Sequence, residues 1–456
     1  MSIQPPWADN AFFYHIYPLG FCGAPRHNDH HSPPQPRLEK IYSWIPHMRN
    51  LGINALYLGP LFESSTHGYD TADYYHVDHR LGSDETLIQL VRELHANGIR
   101  VILDGVFNHV GRDFWAFRDV VQNGQGSRYC DWFQDLHFNT RTPLGDPFTY
   151  ATWQGHYELV KLNLHHSETR QHLLGAVQSW VRDFEIDGLR LDTADVLDLD
   201  FQRELSAFTR TLAPDFWLLG EVIHRDYRYW ANPHTLDSVT NYECYKGLYS
   251  SLDEKNYFEI AYTLNRQFGE QGLYRALPLY NFVDNHDVDR VANKLHNPAL
   301  LYPLYCLLFT MPGIPSIYYG SEWGLRAART RFSDLPLRPD LDLAELQQSS
   351  PQPDLPAVIQ KLAHIRQHSI ALRQGTYCQL FVSHVQLAFL RKSSNEIAIV
   401  QLNAADHPAN FELPDVFSGH MRFVDVLNGG EDFEVANGSL VNMVNPHWAR
   451  ILQSAV

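Results

Sequence analysis

Short apolar runs that end in ionisable residues, alternating with segments of helical period, constrain this 456-residue chain more than any other feature. Leu56-Tyr57-Leu58-Gly59-Pro60 reads as a buried strand. Leu87, Leu90, Val91 and Leu94 then mark one helix face, and Asn97-Gly98 stops it. Ile99 to Val106 follows as a strand. Leu173, Leu174, Val177, Trp180, Val181 and Phe184 trace a second helical stripe, with Ile186 to Leu191 as the next strand. Phe216 to Leu219, Leu279 to Val283 and Ser316 to Tyr319 supply three more. Strands separated by helices require right-handed crossovers and a parallel sheet. Sustained to about residue 374, the pattern predicts a closed (β/α)8 TIM barrel.

Two regions break the rhythm. Residues 111–165 are rich in aromatics, glycine and polar residues, and predict a small inserted domain between one barrel strand and its helix. The barrel then comprises residues 1–110 and 166–374. Residues 375–456 change to short alternating strands (Gln386 to Leu390, Glu396 to Leu402, Arg422 to Leu427), which predict a C-terminal antiparallel β-sandwich. The proline-rich stretch Leu335 to Pro356 reads as a long loop or linker to a last helix.

Composition narrows the function classes. A net charge of −16, with no run of basic residues, argues against nucleic acid, whose phosphates need clustered cations. No 18-residue apolar run occurs, and the first residues, MSIQPPWADNAFF, show neither a basic nor an apolar leader segment, so a cytoplasmic location is expected. The five cysteines are scattered and read as free thiols. Tyr, Trp and His are numerous enough to suit a cleft that stacks on sugar faces.

A barrel enzyme draws its site from the C-terminal ends of its strands. Four such ends carry ionisable groups: Asp104-Gly-Val-Phe-Asn108-His109, Gly188-Leu-Arg190-Leu-Asp192, Gly220-Glu221 and Phe282-Val-Asp284-Asn285-His286-Asp287. A single strand-end Asp can be a helix cap; four in succession point to a shared site, because buried charge is costly unless paired or used. In order and spacing, these segments resemble the four signature segments of the α-amylase superfamily of glycoside hydrolases. Gly68-Tyr69-Asp70 and Pro312-Gly-Ile-Pro315-Ser-Ile-Tyr-Tyr-Gly320 agree. Lys161-Leu162-Asn163, Phe107-Asn-His-Val-Gly-Arg112 and Lys246-Gly-Leu resemble the neopullulanase, cyclomaltodextrinase and maltogenic-amylase group.

The resemblance implies a retaining hydrolase of cyclodextrins, maltooligosaccharides or pullulan-like α-glucans, working through a covalent glycosyl-enzyme. By position, Asp192 would be the nucleophile, Glu221 the acid/base and Asp287 the third carboxylate. Arg190, two residues before Asp192, would share its face of the strand and hold it ionised. Glu221 needs a less polar setting or nearby negative charge to stay protonated. His109 and His286 would bind sugar hydroxyls and Tyr69 would stack on the ring, with Asp104 supporting Arg190 structurally. The chemistry requires no cofactor. Asn108 binds calcium in many α-amylases with help from a His after the nucleophile; here Asp192-Thr-Ala-Asp195-Val196 lacks that His, and no metal ligand is assigned.

Within the group, an extra N-terminal β-domain usually helps to build a dimer, whereas about ten residues precede the first barrel strand here; a homo-oligomer is left open. Ile223 stands where the group often has Trp, which leaves the balance of hydrolysis and transfer open. The alternatives are an α-glucan transglycosylase of the 4-α-glucanotransferase kind, a general α-amylase or α-glucosidase, and a non-catalytic barrel scaffold. The scaffold reading predicts damaged carboxylates, which this chain does not have. His27, Asp29, His30 and His31 read as a solvated polar cluster, and Asn437-Gly-Ser439 as a plain turn.

Overall fold

The computed structural model describes residues 4–414, 422–435 and 439–454. Eight parallel strands, β1 (Phe13–Ile16), β2 (Ala55–Leu58), β3 (Arg100–Gly105), β4 (Gly188–Leu191), β5 (Trp217–Gly220), β6 (Ser238–Val239), β7 (Tyr280–Asn281) and β8 (Ile314–Tyr318), form one sheet in the order β7-β8-β1-β2-β3-β4-β5-β6. A parallel bridge from Thr240 to Tyr280 joins the two edges and closes the barrel. Register runs in step around it, Phe13 opposite Ala55, Ile102 opposite Gly188, and Gly188 opposite Trp217. Phe13, Ala55, Tyr57, Ile102, Trp217, Leu219 and Ile314 fill the interior, and the Phe13 and Trp217 rings stack at 5.1 Å. A packed interior leaves only the strand ends for chemistry.

The helices bury the stripes read from the sequence. Asp84–Ala96 begins with a capping box between Ser83 and Thr86, buries Leu87, Leu90, Val91 and Leu94, and ends at Gly98 in the left-handed region, φ 74°. Ser167–Asp183 buries Leu173, Leu174, Val177 and Trp180. The Trp180 ring stacks on Phe62 at 4.2 Å, and its Nε1 donates to the Tyr74 carbonyl at 2.8 Å. Removing that ring would cost about 3–5 kcal/mol. The indole thereby fastens the helix over the loop that follows β2.

Two elements differ from the sequence reading. β6 is only two residues long, within the polar run Thr-Leu-Asp-Ser-Val-Thr, too short for a periodic pattern to mark. The stretch read as a long loop or linker holds a helix, Leu343–Ser349, capped by Asp342 accepting from the Glu345 amide at 2.9 Å. The cap and the buried Leu346 outweigh the flanking prolines.

After β3 the chain forms a three-stranded antiparallel sheet from His109–Gly111, Thr152–Trp153 and His156–Lys161. Its short register brings Trp153 beside His109, with ring centroids 6.0 Å apart. Toward the C-terminus, a six-stranded antiparallel sheet, including Gln386–Lys392, Ile397–Asn403, Arg422–Asp425 and Trp448–Ser454, faces the pair Ala409–Pro414 and Ser439–Val444. Leu390, Ile399, Phe411, Phe423, Leu440 and Leu452 pack between the layers, as a sandwich requires. Asn437 and Gly438 of the turn read from the sequence lie outside the described residues. Among the described residues no helix is long and apolar enough to cross a membrane.

Candidate active site

Arg190 is the hub. It projects inward from β4 and is 4% exposed. Its Nη1 donates to Asp104 Oδ1 and Oδ2 at 2.9 and 3.1 Å and to Asp192 Oδ1 at 3.0 Å; its Nη2 stands 2.7 Å from Glu221 Oε2. The two-residue spacing puts Arg190 and Asp192 on one face, and β3 and β5, the neighbours of β4, supply Asp104 and Glu221. Asp104 also accepts from Tyr57 Oη at 2.8 Å and Tyr69 Oη at 3.1 Å. It is saturated by protein, in the supporting position expected of it.

Asp287 belongs to the loop after β7 and is gripped from two sides. His286 Nε2 stands 2.9 Å from Asp287 Oδ2, and Arg338 Nη2 stands 2.9 Å from Oδ1. Asn285 Oδ1 accepts from the Asp287 amide at 2.8 Å and fixes the turn. The Tyr69 hydroxyl lies 2.5 Å from His286 Nε2, and the two rings are nearly parallel at 5.7 Å. This tether holds the Tyr69 ring as one wall of the cleft.

Asp192, Glu221 and Asp287 all line one cleft of about 470 Å³, together with Tyr69 and His109. Arg190 and His286 lie beneath it, in the small hollow that Glu221 shares. All seven residues singled out in the sequence therefore meet at one end of the barrel. His109 Nδ1 lies 3.1 Å from the Asn108 amide nitrogen, and its Nε2 is buried without a partner, as is His286 Nδ1. Buried ring nitrogens left open suit the hydroxyls of a bound sugar.

Electrostatics separate the three acids. Burial lifts Asp192 above the ordinary carboxylate range against the pull of Arg190, and repulsion from Glu221, Asp104 and Asp287 adds to the lift. Burial and Asp287 likewise raise Glu221, against Arg190 and the Thr193 amide, which donates to Oε2 at 3.1 Å. Burial would raise Asp287 too, but His286, Arg338 and Arg190 bring it well below the usual range. Asp192 and Glu221 thus titrate as a pair around one guanidinium, and Asp287 stays ionised. Burial, helped by His67, lowers His109 to about 3, so its imidazole is neutral near pH 7.

Two details revise the sequence reading, both at Arg190. It does not serve Asp192 alone but binds three carboxylates, and its pull on Asp192 is outweighed by burial and the neighbouring acids. Glu221 has both settings the reading offered, burial and the nearby negative charge of Asp287, in spite of two donors on Oε2. Sequence reasoning also missed Arg338, Tyr242 and Trp153, which line the cleft. Arg338 follows a short helical turn, Trp153 ends a two-residue strand and Tyr242 opens a helix, and no apolar run ending in charge marks any of them.

The polar cluster of the first loop is a local network. Asp29 accepts from the His31 and Ser32 amides at 3.0 and 2.9 Å, and His30 Nδ1 stands 3.2 Å from Glu63 Oε1. Glu63, Asp78 and His79 lie close enough to share a cation, but Asp78 is already paired with Arg80 at 2.6 and 2.9 Å. Asn108, the residue linked to calcium by resemblance, is buried with its amide against His109 and has Thr193-Ala194 after the nucleophile position where a His would help.

An eight-stranded barrel whose strand ends gather three carboxylates around one arginine defines a glycoside hydrolase site. The catalytic-domain model of α-amylase matches residues 16–350, and the chain belongs to the α-amylase family. A cyclomaltodextrinase from a Bacillus species is 33% identical over 420 residues, covering 88% of this chain and 74% of that protein. Among solved structures, a cyclomaltodextrinase superposes with a TM-score of 0.86 at 29% identity, covering 99% of this chain and 79% of the other. Cyclic α-maltosyl-(1→6)-maltose hydrolase from Arthrobacter globiformis, in complex with that sugar, gives 0.83 at 28% identity and 99% coverage of both.

Proposed function

We propose that this protein hydrolyses α-glucosidic bonds of short or cyclic α-glucans with retention of configuration. The observation that carries the reading is the grip of one guanidinium on Asp192 and Glu221 through its two amino groups, at 3.0 and 2.7 Å. Carboxylates held this way stand close together, as the nucleophile and acid of a retaining enzyme do.

Glu221 Oε donates its proton to the glycosidic oxygen while Asp192 Oδ attacks the anomeric carbon; the C–O bond breaks and the leaving sugar departs with the proton. A glycosyl ester on Asp192 results. Glu221, now ionised, takes a proton from water as the water oxygen attacks the same carbon, releasing the α-anomer and both carboxyl groups in their starting states. Asp287, ionised, accepts from sugar hydroxyls whose bonds tighten as the ring flattens. Neutral His109 and the open Nδ1 of His286 offer ring nitrogens to further hydroxyls, Tyr69 supplies an apolar face, and Arg190 offsets the negative charge shared by the pair. The reaction draws on no cofactor.

Cyclodextrins are the substrates of first choice because the relative at 33% identity is a cyclomaltodextrinase. Side-by-side product analysis from β-cyclodextrin, pullulan, starch and maltotriose, with the anomer followed by NMR, tests the proposal. Opening of β-cyclodextrin with α-product supports it; β-product or no turnover on all four contradicts it. One observation favours a transfer reading as well: Ile223, 40% exposed, lines the cleft two residues after Glu221 and offers a sugar acceptor an apolar surface. Mostly longer oligosaccharides at excess maltotriose would shift the assignment to a transglycosylase. All five cysteines are free, which supports a reducing compartment, the cytoplasm.

A further inference from the structure

A second cavity, of about 150 Å³, lies at the opposite end of the barrel, where Leu277-Pro278 lead into β7 and Pro312-Gly313 into β8. Arg275, Arg373 and Arg391 line it. The outer wall comes from Gly375 and Arg391 of the following β-rich region, so the cavity sits at the junction of that region with the barrel.

Arg391 is 1% exposed. Its Nη1 donates to the Thr310 carbonyl at 2.6 Å and its Nη2 to the Gly375 carbonyl at 2.9 Å, while Nε is buried with no partner. Arg373 Nε is buried without a partner as well. Behind the cavity wall Arg366, 5% exposed, bonds only backbone carbonyls: Phe309 at 2.9 Å, Leu372 at 3.0 Å and, closer still, Gly313. No salt bridge joins Arg366, Arg373 or Arg391 to a carboxylate among the described residues. Asp9 also lines the cavity and is its one carboxylate among the described lining residues, with its oxygens held by Gln4 Nε2 at 2.5 Å and Gln374 Nε2 at 3.1 Å, so three guanidiniums face a single negative charge.

Buried guanidiniums without a direct ion pair are costly, because desolvation is offset by neither a paired carboxylate nor a full set of acceptors. The repulsion is visible in their proton affinity: burial, then Arg373, lowers Arg366 to about 9, and burial, then Arg366, lowers Arg391 further. The whole chain carries −16, so this local excess of positive charge runs against the overall field. We propose that the cavity is a binding site for a small tetrahedral oxyanion, phosphate or sulfate, held by the guanidinium groups of Arg275, Arg373 and Arg391 that line it. Guanidinium forks match such oxygens in geometry and charge. Bound there, the anion would tie the β-rich region to the base of the barrel, the face where a site bears on stability rather than chemistry.

The test is thermal unfolding of the full chain in phosphate, sulfate or glucose 6-phosphate, each against sodium chloride at equal ionic strength, with calorimetric titration of phosphate alongside. A ligand that binds only the folded state raises Tm with its concentration, here by about 2 °C or more at saturation. The proposal predicts a saturable shift by phosphate, weakened in Arg373→Ala and absent in Arg391→Met, with turnover unchanged. A shift by glucose 6-phosphate equal to that by phosphate would mean that the site takes a phosphoryl group on a sugar; a smaller one, that it takes the free ion. Arg373 lies at the half-exposed rim, so its variant keeps the test decisive if Arg391→Met fails to fold. Equal shifts by phosphate and chloride, or an undiminished phosphate shift in Arg373→Ala, would overturn the proposal.

Discussion

Arg190 Nη1 donates to both oxygens of Asp104, at 2.9 and 3.1 Å, across 86 positions of sequence. Both groups are buried, and the same guanidinium continues to Asp192 and Glu221. Asp104 therefore sets the position of the arginine that sets the position of the other two acids. Asp104→Asn removes one of the three charges that compensate Arg190. Breaking a buried pair costs about 3–5 kcal/mol, so Tm should fall by several degrees. Turnover should fall as well, since Arg190 would lean toward Asp192. Denaturation and kcat on one preparation check this; unchanged values for both would remove Asp104 from the account.

The raised proton affinity of Glu221 governs the alkaline side of the pH profile. Activity requires its protonated form, so the rate falls as pH rises through its pKa. Glu221→Gln should lose about 10²- to 10⁴-fold on natural linkages, the usual contribution of a positioned acid. It should lose far less on aryl glucosides whose leaving group needs no proton, and the alkaline limb should disappear. Steady-state kinetics across pH with both substrates reads this directly.

Asp287 works ionised, and Arg338 helps to keep it so. In Arg338→Ala the carboxyl loses one of its cations and its pKa rises. The carboxylate infrared band of Asp287, assigned by difference against Asp287→Asn, should titrate at higher pH than in the wild type, while the kcat/KM limbs, set by the raised Asp192 and Glu221, move less. A band whose titration is unmoved would show that His286 alone suffices.

Gly111 lies on the strand that carries His109, and a Cβ there would meet the Asp70 carbonyl oxygen at 2.4 Å. Gly111→Ala must push the loop carrying Tyr69 and Asp70 away from the inserted sheet, at a cost of about 1–3 kcal/mol. Both walls of the cleft move, so KM should rise together with a lower Tm. Paired measurement of KM and Tm tests the link.

The sequence was most informative where chemistry ends a buried strand. Asp104, Arg190, Asp192 and Glu221 could be found because an apolar run cannot end in charge without reason, and Asp287 and His286 followed from their place after Leu279 to Val283. β6 escaped because two residues carry no period, and Arg338 because its loop is held by tertiary contacts: its Nε donates to the His286 carbonyl at 3.1 Å. The shared grip of Arg190 on Glu221 was also invisible, since it depends on how far two side chains from adjacent strands reach, which spacing along one strand does not encode. Trp153 needed the fold of the inserted sheet to arrive beside His109.

The most direct measurement is mass spectrometry of the enzyme quenched during turnover of 5-fluoro-α-glucosyl fluoride, a substrate that slows breakdown of a glycosyl ester more than its formation. One added glycosyl group on the peptide containing Asp192, and none in Asp192→Ala, is the predicted result. A stable adduct on Glu221 or Asp287, or turnover of Asp192→Ala at the wild-type rate, would contradict the assignment of Asp192 as nucleophile.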